Sequence, residues 1–254
     1  MTYNIRYATV NDQDNQWDKR KKYLSQQIDF YAPDVFGIQE GLQSQLTFIE
    51  ESLSNYVYIG VGRDDGKEKG EYCAIFYSTE KLELLSEDTF WLSPTPEVVS
   101  KGWDAALERI CTYAKFKDKV SGHIFYVFNT HFDHIGEVAR EKSAELIVKK
   151  AAEINKDQIP VIIMGDFNLN EKSKAITYLS SIYNDSRLVS EAQPFGPHGT
   201  FTGFQFQAPV KDRIDYIFCS KQNIRVKKYA VLTDSKDSKY PSDHFPVLVK
   251  LHIN

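Results

Sequence analysis

The sequence predicts an α/β or α+β fold in which helices cover the faces of β-sheets, and three observations carry that reading. Short apolar runs alternate with stretches of helical periodicity from one end of the chain to the other. With 254 residues, 42% of them hydrophobic, the chain can bury a large core without disulfides or other staples. Polar residues also recur at matching strand ends in two similar strand–helix–strand units. One carries Asn4 and Glu40, the other His131 and Asp166, displaced by nearly the same number of residues. Two stacked sheets would set these units face to face across a shared cleft.

The elements follow in order. Thr2 to Tyr7 is strand-like. Residues 17–31 form a helix that turns Trp17, Leu24, Ile28 and Tyr31 inward and leaves the run Lys19-Arg20-Lys21-Lys22 on a solvated face. A strand over Asp34 to Gln39 is entered through Pro33, after which Leu42, Leu46, Ile49 and Leu53 repeat at helical spacing. Strands follow at 56–61, 73–77, 82–90, 110–116 and 124–130. Ala144, Ile147, Val148, Ala151 and Ile154, three and four apart, mark a long helix. After Pro160, Val161-Ile162-Ile163-Met164 is continuously apolar, as a strand buried on both faces requires. A helix near 173–183 and strands near 213–219, 226–232 and 246–252 complete the series. No linker interrupts it, so residues 1–254 are expected to form one domain.

Composition narrows the function. A net charge of −4 and a pI near 5.9 argue against a dedicated nucleic-acid binder, though not against a nuclease with a local basic patch. Cys73, Cys111 and Cys219 are far apart, odd in number and set in apolar stretches, so they read as buried thiols. No apolar run is long enough to cross a bilayer. The first residues lack the apolar core of a signal peptide, so a cytoplasmic location is expected.

Four stretches carry chemistry, each with a structural alternative. Glu40 ends an apolar strand, where it lines a site or serves as an acid at the next helix N-terminus. Gly165-Asp166-Phe167-Asn168 follows the most apolar strand and sets an acid and an amide beside a rigid sheet, or forms an Asx turn. Asp215 lies inside a strand, costly for an acid unless it is paired, and Arg213 on the same face is one partner. Ser242-Asp243-His244 sits in the turn before the last strand.

Together Asn4, Gln39-Glu40, Thr130-His131, Gly165-Asp166-Phe167-Asn168, Arg213-Ile214-Asp215-Tyr216 and Ser242-Asp243-His244-Phe245-Pro246, in this order, resemble the endonuclease/exonuclease/phosphatase superfamily over about residues 2–250. The resemblance implies the deoxyribonuclease I-like fold, a four-layer sandwich of two mixed sheets flanked by helices. It also implies a divalent metal, magnesium with manganese as a substitute, held principally by Glu40 with Asn4 and Asp243 nearby. Asp166 and Asn168 would orient the attacking water and the phosphoryl oxygens. His244 would be the general base or a transition-state donor, with Asp215 orienting it. His131 would donate to a leaving or non-bridging oxygen, and Glu71 resembles the carboxylate that pairs with this histidine. A solvated loop acid is the alternative for Glu71.

Histidine at position 131, where abasic-site endonucleases carry tyrosine, turns the resemblance away from DNA repair. Trp91 and Trp103 either stack on a base or sugar or anchor loops. The chain offers no continuous cationic track, so a small phosphoester is expected over duplex DNA, with Arg63 or Arg109 as further phosphate contacts. Nuclease activity on DNA or RNA is the alternative, and no protein partner is implied. His131-Phe132-Asp133-His134 also contains the His-x-Asp-His of metallo-β-lactamase-like zinc hydrolases, but Asn129 stands where that pattern needs another histidine. A member that binds a phosphoester without cleaving it is the remaining reading. Specificity is expected in loops 62–71, 90–109 and 194–209.

Overall fold

The computed structural model describes residues 1–254. Its strands are β1 (Thr2–Asn4), β2 (Val35–Gly41), β3 (Tyr56–Ile59), β4 (Tyr72–Ser78), β5 (Leu82–Trp91), β6 (Ile110–Asp118), β7 (Ile124–His131), β8 (Val161–Asp166), β9 (Asn184–Asp185), β10 (Asp215–Cys219), β11 (Ile224–Val231) and β12 (Val247–Ile253). The helices are α1 (Trp17–Tyr31), α2 (Gln43–Ser52), α3 (Glu137–Ile154) and α4 (Lys174–Ile182), with a 3-10 helix at Val10–Asn15. Two six-stranded sheets form, ordered β11-β12-β1-β2-β4-β3 and β5-β6-β7-β8-β10-β9. Each has one parallel pair at its centre, β1 with β2 and β7 with β8, joined by α1 and α3 respectively. The repeated unit inferred from the polar residues is therefore the parallel crossover of each sheet.

Alternation along the strands builds the layers. In β7, Tyr126 and Phe128 point outward to pack with Ala144 and Ile147 of α3, while Phe125 and Val127 point between the sheets. In β2, Phe36 and Ile38 pack outward with Leu24 and Ile28 of α1. The inter-sheet core includes Ile75, Ala114, Phe116, Ile162, Met164, Ile217 and Val247. Helices thus cover the outer face of each sheet, giving four layers. At one end of the inter-sheet core the inward positions turn polar. Asn129 donates to the carbonyls of Ile38 and Ala74 in the opposite sheet, and Gln39 donates to Asn129 Oδ1 and Thr2 Oγ1. A Cβ at position 37 would stand 2.5 Å from the Asn129 side chain, so Gly37 leaves the room this bridge needs.

Three expectations are corrected. Strand pairing at the N-terminus stops at Asn4, because Arg6 takes a left-handed conformation (φ 57) and turns the chain toward the cleft. Within the basic run Arg20 is buried, not solvated, because it faces the same side of α1 as Trp17 and Leu24. Asp215 begins its strand and lies outside any pair with Arg213, which instead bonds Asp185 at 2.5 Å. Of the two readings of Trp91 the structure matches the loop anchor, a core residue whose indole N–H donates to the Arg63 carbonyl. The three cysteines are buried and free, and no helix is long and apolar enough to cross a membrane.

Candidate active site

The polar inward positions converge at the ends of the two central crossovers. Asn4 pairs in register with Gln39, and His131 with Asp166. Strand parity would turn Glu40 outward with Ile38. A bulge between Ile38 and Gly41, with Glu40 left-handed at φ 62, swings its carboxylate to the cleft instead. Gly165 precedes Asp166 because the backbone passes so close to β7 that a Cβ would meet the Thr130 carbonyl oxygen at 2.0 Å.

The Asn4 amide joins the two acids. Its Nδ2 donates to Glu40 Oε1 at 3.0 Å and to Asp166 Oδ2 at 2.9 Å, while its Oδ1 accepts from the Arg6 backbone N–H. Glu40 Oε2 accepts from the Tyr7 N–H at 3.2 Å, so this acid is no helix cap; the start of α2 is met by Gln45, which accepts from the Leu42 N–H. Asp166 Oδ1 accepts from the Asn168 N–H, and its Oδ2 lies 3.5 Å from His131 Nε2 and 3.7 Å from His244 Nε2. Burial, followed by the charge of Asp215, pushes the Asp166 carboxyl above the usual range.

The two histidines are held in opposite states. His244 Nδ1 lies 2.9 Å from Asp215 Oδ2, both side chains being nearly inaccessible. Burial alone would lower the His244 pKa, but the charge and hydrogen bond of Asp215, with Asp166 and Asp243 behind them, raise it to about 10. His131 moves the other way, well below 6.5, through burial and then the charges of Arg109 and Arg63. The Asn168 amide nitrogen donates to the Phe132 carbonyl and lies 3.0 Å from His131 Nε2, so Nε2 is an acceptor and the ring proton sits on Nδ1. That Nδ1 is 3.9 Å from Glu71 Oε2. Donation from Nε2 requires the other tautomer.

Glu71 is half-buried and held by both terminal nitrogens of Arg63, at 2.7 and 2.9 Å. Arg109 lies 3.4 Å from Asp133, which also accepts four backbone N–H bonds from residues 106, 107, 135 and 136. Both arginines are buried and committed to these acids. Asp243 is buried too, its carboxyl raised by burial, and Ser242 Oγ donates to the Asn4 carbonyl at 2.7 Å. The structure thus gathers Asn4, Glu40, Asp166, Asn168, His131, Asp215 and His244 through direct contacts. Asp243 is next in chain to His244, and Glu71 reaches the group through His131. Sequence reasoning assigned no role to the Tyr7 N–H, to Asn129 as a bridge between the sheets, to Asp133 or to Ser242. Only the near-neighbour position of Ser242 gave a signal.

Glu40, Asp166, Asp215 and Asp243 share this site with one cationic imidazole, and Arg6, 3.9 Å from Glu40, is already committed to Asp12. Asp215 Oδ1 is buried without a partner. Oxygen donors in excess of local positive charge fit a divalent cation. Atoms of Asp166, Asp215 and His244 lie within 4.8 Å of one another, but His244 Nδ1 and Asp215 Oδ2 are spent on each other. Glu40, Asp166 and Asp243 are the remaining carboxylates that could hold the cation.

Stacked six-stranded sheets flanked by helices, with this acid–amide–histidine cluster at one end of the cleft, define the deoxyribonuclease I-like class. The chain belongs to the Endonuclease/Exonuclease/phosphatase family, whose sequence profile matches residues 1–244. Among solved structures it is similar to the Bacteroides thetaiotaomicron mannosyl-6-phosphatase Bt3783, with 41% identity over 98% of this chain and 97% of that one and a TM-score of 0.94. The human Nocturnin catalytic domain with bound sulfate shares the fold at 20% identity over 99% and 92% of the chains, TM-score 0.78. In sequence the chain is 33% identical to an uncharacterized protein of Acanthamoeba polyphaga mimivirus over 62% of its length. It is 22% identical to the Kluyveromyces lactis CCR4-Not complex 3'-5'-exoribonuclease subunit Ccr4 over 94% of its length. It spans 61% and 38% of those two proteins.

Proposed function

We propose that this protein hydrolyses a small phosphoester, a hexose phosphate foremost, by in-line attack of water at the Glu40–Asp166–His244 site. The observation that carries the reading is the charge pattern. A cationic donor, His244, faces a proton-accepting carboxylate, Asp166, across less than 4 Å inside a cleft of hard oxygen ligands. His244 donates from Nε2 to a phosphoryl oxygen and offsets the charge that grows there, while Asp215 holds Nδ1. Asp166, its affinity for a proton raised by burial, orients the attacking water and takes its proton. Asn4 fixes Asp166 relative to Glu40, and the Asn168 amide, donating to the Phe132 carbonyl and to His131 Nε2, holds neutral His131 beside the phosphoryl group. Glu40, with Asn4 and Asp243 beside it, holds a divalent cation, magnesium or manganese, which supplies positive charge against the phosphoryl oxygens.

We read residues 1–254 as one domain, because both sheets contribute to this site. The similarity to a mannosyl-6-phosphatase at 41% identity supports the sugar phosphate. So does the commitment of Arg63 and Arg109 to buried acids, which leaves no cationic track for a polymer. The Ccr4 relatives favour nuclease activity as the second reading. Phosphate release from a panel of hexose phosphates and nucleotides, with magnesium, with manganese and in excess chelator, tests the proposal. Release that stops in chelator and returns with either metal is expected; full turnover in chelator would contradict it.

A further inference from the structure

The basic run on α1 contains a cation buried near the site. Arg20 is 4% exposed, and its guanidinium touches no carboxylate. Four of its donor contacts go to backbone carbonyls instead: Nε to Asn15 at 2.9 Å, Nη1 to Ile5 and to Pro241 at 3.0 Å, and Nη2 to Arg6. Trp17 and Phe204 cover its faces, 5.1 and 5.7 Å from the ring centroids. Burying an arginine in this way is costly, and three of the four contacts that offset the cost, those to Ile5, Arg6 and Pro241, fall on segments beside the site.

The peptide groups involved are the ones that hold the acids. In the peptide joining Ile5 to Arg6, the carbonyl accepts from Arg20 and the N–H donates to Asn4 Oδ1. In the next peptide the Arg6 carbonyl accepts from Arg20, and the Tyr7 N–H donates to Glu40 Oε2. On the far side, Pro241 precedes Ser242, Asp243 and His244, and Ser242 Oγ returns to the Asn4 carbonyl. Two successive peptides are thus clamped between the guanidinium and the site. A third contact ties in the turn that carries His244, from the other end of the chain.

We propose that Arg20 is a positioning residue of the active site, whose planar fork fixes the Asn4–Glu40 side of the cleft against the His244 turn. This rests on the hydrolytic reading of the site for its kinetic consequence only; the clamp itself is a statement about the two segments. A lysine keeps the charge but presents one point where the guanidinium presents a fork to four carbonyls.

The test compares Arg20→Lys and Arg20→Gln with Leu24→Ala, a core truncation on the same helix that leaves these contacts intact. Each full-length variant is assayed with magnesium well below its melting temperature. Amide exchange at Arg6, Tyr7 and His244 is followed in the metal-free protein. Arg20→Lys is expected to lose about 10- to 100-fold in kcat with KM within a few-fold, as a misplacement of about 1 Å produces. Exchange at Arg6, Tyr7 and His244 should rise in concert. Leu24→Ala should lower the melting temperature with kcat near wild type. If Arg20→Gln fails to fold, Arg20→Lys carries the comparison. Unchanged kcat and exchange in Arg20→Lys, or an equal kcat loss in Leu24→Ala, would overturn the proposal. Should the wild type hydrolyse no phosphoester, the exchange result still decides the clamp, and the hydrolytic reading falls separately.

Discussion

Replacing Asp215 with asparagine isolates the electrostatic half of the His244–Asp215 pair. The substitution preserves shape, and the new amide oxygen can still accept from His244 Nδ1. It then places an N–H where Asp215 Oδ1 is buried without a partner, an unpaired group that costs about 1–3 kcal/mol. The larger effect is on charge. Burial lowers the imidazole pKa, and without the Asp215 carboxylate only Asp166 and Asp243 oppose it, so the pKa falls from about 10. The cationic fraction then falls within the neutral pH range, where the wild-type imidazole stays charged. The kcat loss should therefore grow with pH, approaching about tenfold per unit above the variant's pKa and below about 10. Stability follows the same sign. A raised folded-state pKa stabilises fully below about 6.5, and the gain disappears as pH rises through about 10, so wild type and variant should converge in stability at high pH. Steady-state kinetics of both proteins across pH 6–9, with melting temperatures on the same buffers, give the answer. A loss independent of pH would refute the cationic role of His244 and leave Asp215 as an orienting group only.

Three further outcomes are expected. His244→Ala and Asp166→Asn should each lower kcat by about 10²–10⁴-fold with KM within a few-fold, seen in steady-state assays on the same substrate. Glu40→Gln should raise the magnesium concentration for half-maximal activity by at least about tenfold while circular dichroism stays unchanged. Asn129→Ala should cost about 1–3 kcal/mol for each of the groups it leaves unpaired, the carbonyls of Ile38 and Ala74 and the Gln39 amide, measured by urea unfolding.

The layered fold was legible because the apolar periods are clean and because the polar residues of the two crossovers repeat at matching strand ends. Asn4 and Asp166 obey strand parity, so their convergence follows from the pattern. Glu40 does not: parity turns it outward, and only a bulge that the sequence does not announce brings it to the cleft. Asp215 was legible as the partner of His244 through the family motif, and only its alternative, a pair with Arg213 on the same strand face, fails. The strand begins at Asp215, the parity does not extend to Arg213, and each finds a different buried partner. The basic run misled for a similar reason. Four cations in a row read as one solvated face, yet the helical turn sends Arg20 inward beside Trp17, and its partners are backbone carbonyls that no residue pattern reveals.

A comparison of kcat/KM decides whether a small phosphoester reacts at the His244–Asp166 site. Hexose phosphates, single-stranded RNA and duplex DNA would be assayed with magnesium at low and at high salt. Efficient release of phosphate from a hexose phosphate, nearly insensitive to salt and with DNA and RNA poor substrates, is expected. Efficient cleavage of DNA or RNA that falls steeply with salt, with sugar phosphates untouched, would contradict the account and make the protein a nuclease.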